Sequence, residues 1–238
     1  MPYEFTAYLS GNKLFVLAGF DTTSVSLCGL FFYLSYCEKV LDKLQQEITN
    51  TFESVDQILP GPKLSSYKYL KAAIDEAMRM TPAGPAELPR QVLPGGTEID
   101  GEHFPENTVV GTAAWCDGLN DEIYGDVAIY RPERWLVQDT NSAEDVARIK
   151  ANFHSFSIGP FNCAGSKFAL QELMLVVATT VHRFVFRLAS EWARGAGLRH
   201  RLFGMETKTT RVVPHFQVQD AYITVKDGPV LQFRKRRA

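Results

Sequence analysis

The chain has 238 residues, 45% of them apolar and 12% aromatic, and a formal net charge of -2. Such a composition builds a core and excludes a disordered chain. The charge excludes a broad electrostatic attraction to nucleic acid or to an anionic membrane surface. The cysteines, at 28, 37, 116 and 163, form no Cys-x-x-Cys pair, which excludes a zinc ribbon, gives no disulfide framework and fits a reducing compartment.

The first residues, Met1 to Phe5, carry no basic n-region, so a signal peptide is not expected. The longest apolar stretch, Leu14 to Cys37, has the length of a bilayer span. Its centre holds Asp21, Thr22, Thr23, Ser24 and Ser26, and a carboxylate there is costly in lipid. The stretch is read instead as a long helix from Phe5 to Tyr36, buried in protein on several sides. Its polar patch marks a place where something reacts or binds. A second helix is expected over Glu38 to Phe52, with Val40, Leu41, Leu44, Ile48 and Phe52 on one face. Pro60-Gly61-Pro62 breaks the chain. A third helix follows from about Ser66 to Met80, with Leu70, Ala73, Ile74, Ala77 and Met78 as its buried stripe and Pro82 and Pro85 as its end.

From Leu88 to Trp115 the pattern turns to strands. Ile99-Asp100-Gly101 signals a hairpin, and Val109 to Ala114 reads as a short strand. Asp117 to Arg131 reads as an irregular loop with a weak helical turn, and Ser142 to Phe153 as a short helix. Ser166 to Phe184 is a strong helix, with Phe168, Leu170, Leu173, Leu175, Val176, Val177 and Val181 directed inward. Arg187 to Thr210 reads as a loop. Strands are expected at Val212 to Val218 and Tyr222 to Phe233, the second split by Asp227-Gly228-Pro229. The terminal Arg234 to Arg237 run reads as a solvated basic tail.

The most informative segment is Phe156-Ser157-Ile158-Gly159-Pro160-Phe161-Asn162-Cys163-Ala164-Gly165. Its cysteine stands between two glycines, just before a helix. Free N–H groups and the positive end of the helix dipole favour a thiolate there. The glycines let backbone approach a bulky flat group without a Cβ clash. A thiolate ligand to a planar cofactor fits this pattern. A phosphate loop does not, because the Gly-Lys-Ser/Thr ending is missing. A nucleophile paired with His154 and a buried inert cysteine are the other readings.

Phe156-x-x-Gly159-x-x-x-Cys163-x-Gly165 resembles the haem-binding motif of the cytochrome P-450 (haem-thiolate monooxygenase) family. Ala18-Gly19-Phe20-Asp21-Thr22-Thr23 looks like its oxygen-activation motif, Glu76-Ala77-Met78-Arg79 like its Glu-x-x-Arg motif, and Pro132-Glu133-Arg134-Trp135 like its Pro-Glu-Arg segment. The segments occur in the family's order, and their flavour is that of fungal secondary-metabolism members. The resemblance implies a mainly α fold with small β-sheets: the C-terminal half of the cytochrome P-450 fold, from the central distal helix through the thiolate loop to the last helix. It covers residues 1–238 as one truncated domain without the N-terminal anchor.

The same resemblance implies haem with Cys163 as its axial thiolate, and Phe156, Gly159 and Gly165 shaping the cradle. Asp21 and Thr22 would serve oxygen activation and proton relay; a Ser/Thr-softened kink is the other reading of that patch. Glu76, Arg79 and Arg134 would form a buried structural cluster, where spacing alone allows a surface ion pair. Arg90 would pair with a haem propionate, a surface arginine being the alternative. Phe161 stands where the family usually has Arg or His against a propionate. An aromatic ring cannot neutralise that carboxylate, so haem affinity falls unless another cation substitutes. The implied reaction inserts one oxygen atom from dioxygen into a small apolar molecule, with electrons from NADPH through a separate reductase. An inactive remnant or a haem-binding fragment is the alternative. The implied location is cytoplasmic for this stretch, full-length relatives being often on the endoplasmic reticulum membrane.

Overall fold

A computed structural model describes residues 2–189, 215–220 and 223–236; for 2–12 and Leu14 it describes the backbone alone. The opening apolar run forms one helix, α1 (Pro2–Tyr36). Its hydroxyl residues bond back to their own helix, Thr22 to the Ala18 carbonyl, Ser26 to that of Thr22 and Ser35 to that of Phe31, so the helix continues through its polar patch. Burial is confined to the C-terminal part, where Val25, Leu30, Phe32, Tyr33 and Leu34 are at most 1% exposed. Phe15, Val16, Leu17 and Phe20 are 57–74% exposed, against the expectation of protein on several sides. Periodicity does not reveal where along a helix its neighbours stop.

Helix α2 (Glu38–Thr49) buries Val40, Leu44 and Ile48, with Phe52 beyond its end. Gly61, at φ +147°, turns the chain into the short α3 (Pro62–Ser65). Helix α4 (Lys68–Met80) is buried at every position but Lys68 and Lys71. The Glu47 carboxylate accepts from the Tyr69 and Leu70 amides at 3.3 and 3.1 Å, satisfying two donors of its first turn.

Strand β1 (Arg90–Gln91) precedes a hairpin of β2 (Thr97–Ile99) and β3 (Glu102–Phe104). Asp100 and Gly101 make its turn with φ of 52° and 79°, as a two-residue primed turn requires. Strand β4 (Val109–Val110) returns antiparallel to β1, pairing Val110 with Arg90. The strand expected over Val109 to Ala114 is cut short because Ala114 opens α5 (Ala114–Gly118). Helix α6 (Asp121–Tyr124) is the helical turn of the acidic loop. A 3-10 turn over Pro132–Trp135 and helix α7 (Ala143–Ala151) follow, the latter opened by a Ser142/Asp145 capping box.

Helix α8 (Ser166–Arg183) buries Leu173, Met174, Val177, Ala178 and Val181. Phe168, expected to point inward, is 73% exposed. The chain continues straight into β5 (Phe184–Leu188), so Arg187 lies in a strand rather than a loop. Residues 190–210 of that expected loop lie outside the described residues, as do 212–214 and Tyr222 of the expected final strands. Of those strands, β6 (Val218–Gln219) pairs antiparallel with β7 (Val225–Lys226), and β8 (Leu231–Lys235) with β5. Arg234 and Lys235 are therefore ladder residues, and the Arg236 amide donates to the Arg183 carbonyl at 2.9 Å. Arg234 and Lys235 are exposed, as expected, but as far as Arg236 the basic run belongs to a paired strand and its end rather than to a tail; Arg237 lies outside the described residues.

The core gathers the C-terminal part of α1 with α2, α4, α8, Phe186 and Phe216. Tyr33 stacks on Tyr130 at 5.0 Å and hydrogen-bonds Thr81 at 3.1 Å. The described residues are mainly helical, with small two-stranded sheets at the margins.

Candidate haem site

The loop before α8 is closed by the Cys163 amide, which donates to the Phe156 carbonyl at 2.8 Å. Ser157 and Gly159 reverse the chain at φ of 60° and 62°, and a 3-10 turn spans Gly159–Phe161. Cys163 is left exposed at the N-terminal end of α8, and the Ser166 amide donates to its carbonyl at 3.2 Å. A Cβ added at Gly159 would meet nothing within 4 Å, and one at Gly165 would meet only the Cys163 Sγ at 3.9 Å. Open space therefore faces both glycines. Around it stand Ile158, Phe161 and Phe168, 61–73% exposed. The Arg90 guanidinium lies over the Phe161 ring, its carbon 4.7 Å from the centroid.

Two of the other cysteines are partly buried, while Cys116 is exposed on α5. Burial raises the Cys28 thiol, and burial together with Glu133 pushes Cys37 up to about 11. Among the described residues no histidine hydrogen-bonds Cys163, which removes the support that a His154-activated nucleophile needs. Nor does any group of three His, Cys, Asp or Glu side chains gather to hold a metal ion. A lone sulfur can serve a metal there only when the remaining ligands arrive with the metal, as they do in a porphyrin.

Beneath the surface, Glu76, Arg79 and Arg134 meet, each at most 2% exposed. Arg79 forks onto Glu76, Nε to Oε2 at 3.0 Å and Nη2 to Oε1 at 2.9 Å. Arg134 Nε donates to Oε1 and the Trp135 indole to Oε2, both at 2.9 Å, and the Arg131 amide to Oε1 at 3.0 Å. The remaining guanidinium donors reach backbone: Arg79 to Gly118 and Val127, Arg134 to Tyr124, Gly125, Asp126 and Ile129. Burial alone would raise the Glu76 pKa, but Arg79, Arg134 and these hydrogen bonds outweigh it and hold the carboxyl below its usual value. Sequence reasoning missed Trp135 and Gly118 as members. The signal for Trp135 was its adjacency to Arg134; Gly118 left none.

Thr22 bonds only within α1, donating to Ala18 at 2.6 Å and accepting from Ser26. Asp21 is half-buried. Helix α1 packs against α8, whose N-terminal end carries the thiolate loop, but no hydrogen bond joins Asp21 or Thr22 to residues 156–165.

The loop thus presents one exposed sulfur in an open, glycine-flanked and apolar cradle, with one arginine at its edge. Residues 13–212 match the cytochrome P-450 family, and the chain belongs to that family of oxidoreductases, whose cofactor is haem iron. It is 34% identical over 229 residues to the cytochrome P-450 monooxygenase apf7 of Gibberella fujikuroi, covering 94% of this chain and 41% of that protein. It is 36% identical over 223 residues to apf8 of the same fungus, covering 93% and 58%. Against atnE of Emericella nidulans it is 32% identical over 237 residues, covering 99% and 43%. The chain thus spans about half the length of the curated relatives it matches.

Proposed function

We propose that this chain is the haem-binding part of a monooxygenase that inserts one oxygen atom from dioxygen into a small apolar molecule. Fungal secondary metabolism is its setting. The observation that carries the reading is the exposed Cys163 sulfur beside open space at Gly159 and Gly165. When bound, haem supplies dioxygen activation, and thiolate ligation favours O–O cleavage. Cys163 holds the iron. Ile158, Phe161 and Phe168 give the flat ring an apolar bed and exclude water. Arg90 meets a propionate carboxylate at the edge. Thr22, whose hydroxyl can both donate and accept, and Asp21 would carry protons from solvent toward bound dioxygen. Glu76, Arg79 and Arg134 hold the segment from Tyr124 to Trp135 in place and touch no reacting group. Electrons come from an NADPH-dependent reductase, met from the cytoplasm.

The test is reconstitution of the chain with hemin. One equivalent taken up, with a thiolate-type spectrum for the reduced carbon monoxide complex, supports the reading. Cys163→Ala should abolish that spectrum, and an unchanged one would refute the ligand assignment. Product formation with reductase separates a monooxygenase from a fragment that only binds haem.

A further inference from the structure

Phe161 occupies the position where a cation usually stands, yet its ring is in use. Arg90 arrives from β1, pinned by pairing with Val110 of β4. Its Nη1 donates to the Leu88 and Pro89 carbonyls at 3.2 and 3.0 Å, tying one corner of the guanidinium to its own backbone. Its guanidinium carbon lies over the Phe161 ring, 4.7 Å from the centroid. Among the described residues no carboxylate pairs with Arg90. The Nε and Nη2 donors have no acceptor among the described residues. The result is an oriented fork beside the cradle, without an acceptor.

We propose that Phe161 is a positioning residue that holds Arg90 by cation–π contact, so that one oriented guanidinium binds the carboxylate edge of the cofactor. This rests on the haem reading above. The ring adds no charge of its own. It fixes the plane of the charge that β1 supplies, and a flat guanidinium suits that arrangement where a lysine ammonium does not.

The effects of the two residues on haem retention should then be interdependent. The experiment measures hemin release from the 238-residue chain to an excess of apomyoglobin. Phe161→Leu should speed release about two- to fivefold, the size of an exposed cation–π contact. Phe161→Trp should restore retention, and Arg90→Lys should behave like Arg90→Gln. In the Arg90→Gln background, Phe161→Leu should have no further effect. A haem-free arm reads the Arg90 Nε–H resonance by NMR. Its upfield ring-current shift should be present in the native chain, lost in Phe161→Leu and kept in Phe161→Trp. Additive effects on release, or no ring-current shift, would overturn the proposal. A native chain that shows the shift but takes up no hemin would instead sink the haem reading, and the cofactor role of Arg90 with it.

Discussion

Glu76 accepts from two guanidinium groups, an indole and a backbone amide while sealed from water. Glu76→Gln leaves Arg79 and Arg134 as buried cations without a countercharge and should lower stability by about 3–5 kcal/mol, measured by urea unfolding. The pH dependence follows from the depressed carboxyl. Its contribution is complete above the ordinary value near 4.5 and is lost as pH falls through the lower value of the folded state. Acid titration of the native chain should show this loss, and the Gln variant should lack that part of it. Gly118 is the second pressure point. A Cβ there would sit 2.5 Å from the Arg79 carbonyl oxygen, and the Gly118 carbonyl accepts from Arg79 Nη1 at 2.6 Å. Gly118→Ala should therefore cost about 1–3 kcal/mol in the same assay, as an overpacked site does. The sequence displayed Glu76 and Arg79 three apart, but spacing does not report burial. Only the resemblance separated a sealed cluster from an exposed pair.

At the level of elements, α1 and α4 meet where Gly29 faces Thr81, a Cβ at Gly29 lying 3.0 Å from the Thr81 Cβ. That proximity lets Tyr33 reach the Thr81 hydroxyl. Gly29→Leu should force the helices apart and lower stability by about 1–3 kcal/mol. Tyr33→Phe, which removes the hydrogen bonds to the Thr81 hydroxyl and from the Phe216 amide and keeps the ring stack, should cost about 1–3 kcal/mol. Both are read by thermal or urea unfolding. Helices α2, α4 and α8 were legible because their apolar faces repeat at helical spacing, with Pro82 marking the end of α4 and Gly165 the start of α8. Phe168 and the Phe15 to Phe20 segment were misread for one reason. Helical spacing marks a side chain as apolar but does not report whether a neighbour covers it. The strand at Val109 was misread because Ala114 joins a helix whose start carries no capping side chain, whereas Ser142 and Asp145 announce α7 plainly.

Across the whole molecule, large apolar side chains stay exposed both on the N-terminal part of α1 and around the thiolate loop. Phe15–Tyr36 is long and apolar enough to cross a membrane, but a third of its most apolar window is buried, and Tyr33 and Leu34 are wholly inside the core. It serves as a core helix at one end and an uncovered one at the other. If the uncovered loop surface is a haem bed, hemin should raise the unfolding midpoint in a concentration-dependent way. The gain should be about 2.7 kcal/mol at a hundredfold excess over Kd, and smaller in Cys163→Ala. Differential scanning calorimetry at several hemin concentrations checks this, and a midpoint insensitive to hemin would contradict it. The sequence also left the link between distant segments unread: nothing in the run Leu231 to Lys235 names Phe184 to Leu188 as its partner. Pairing across such a separation is a tertiary property.

That antiparallel pairing makes the C-terminal arginines a clasp. Trimming residues 231–236 would strip the only ladder partner that β5 has among the described residues, and would uncover Phe186 at the foot of the helix that follows the Cys163 loop. Deleting residues 231–236 should therefore loosen the cysteine's own scaffold from below.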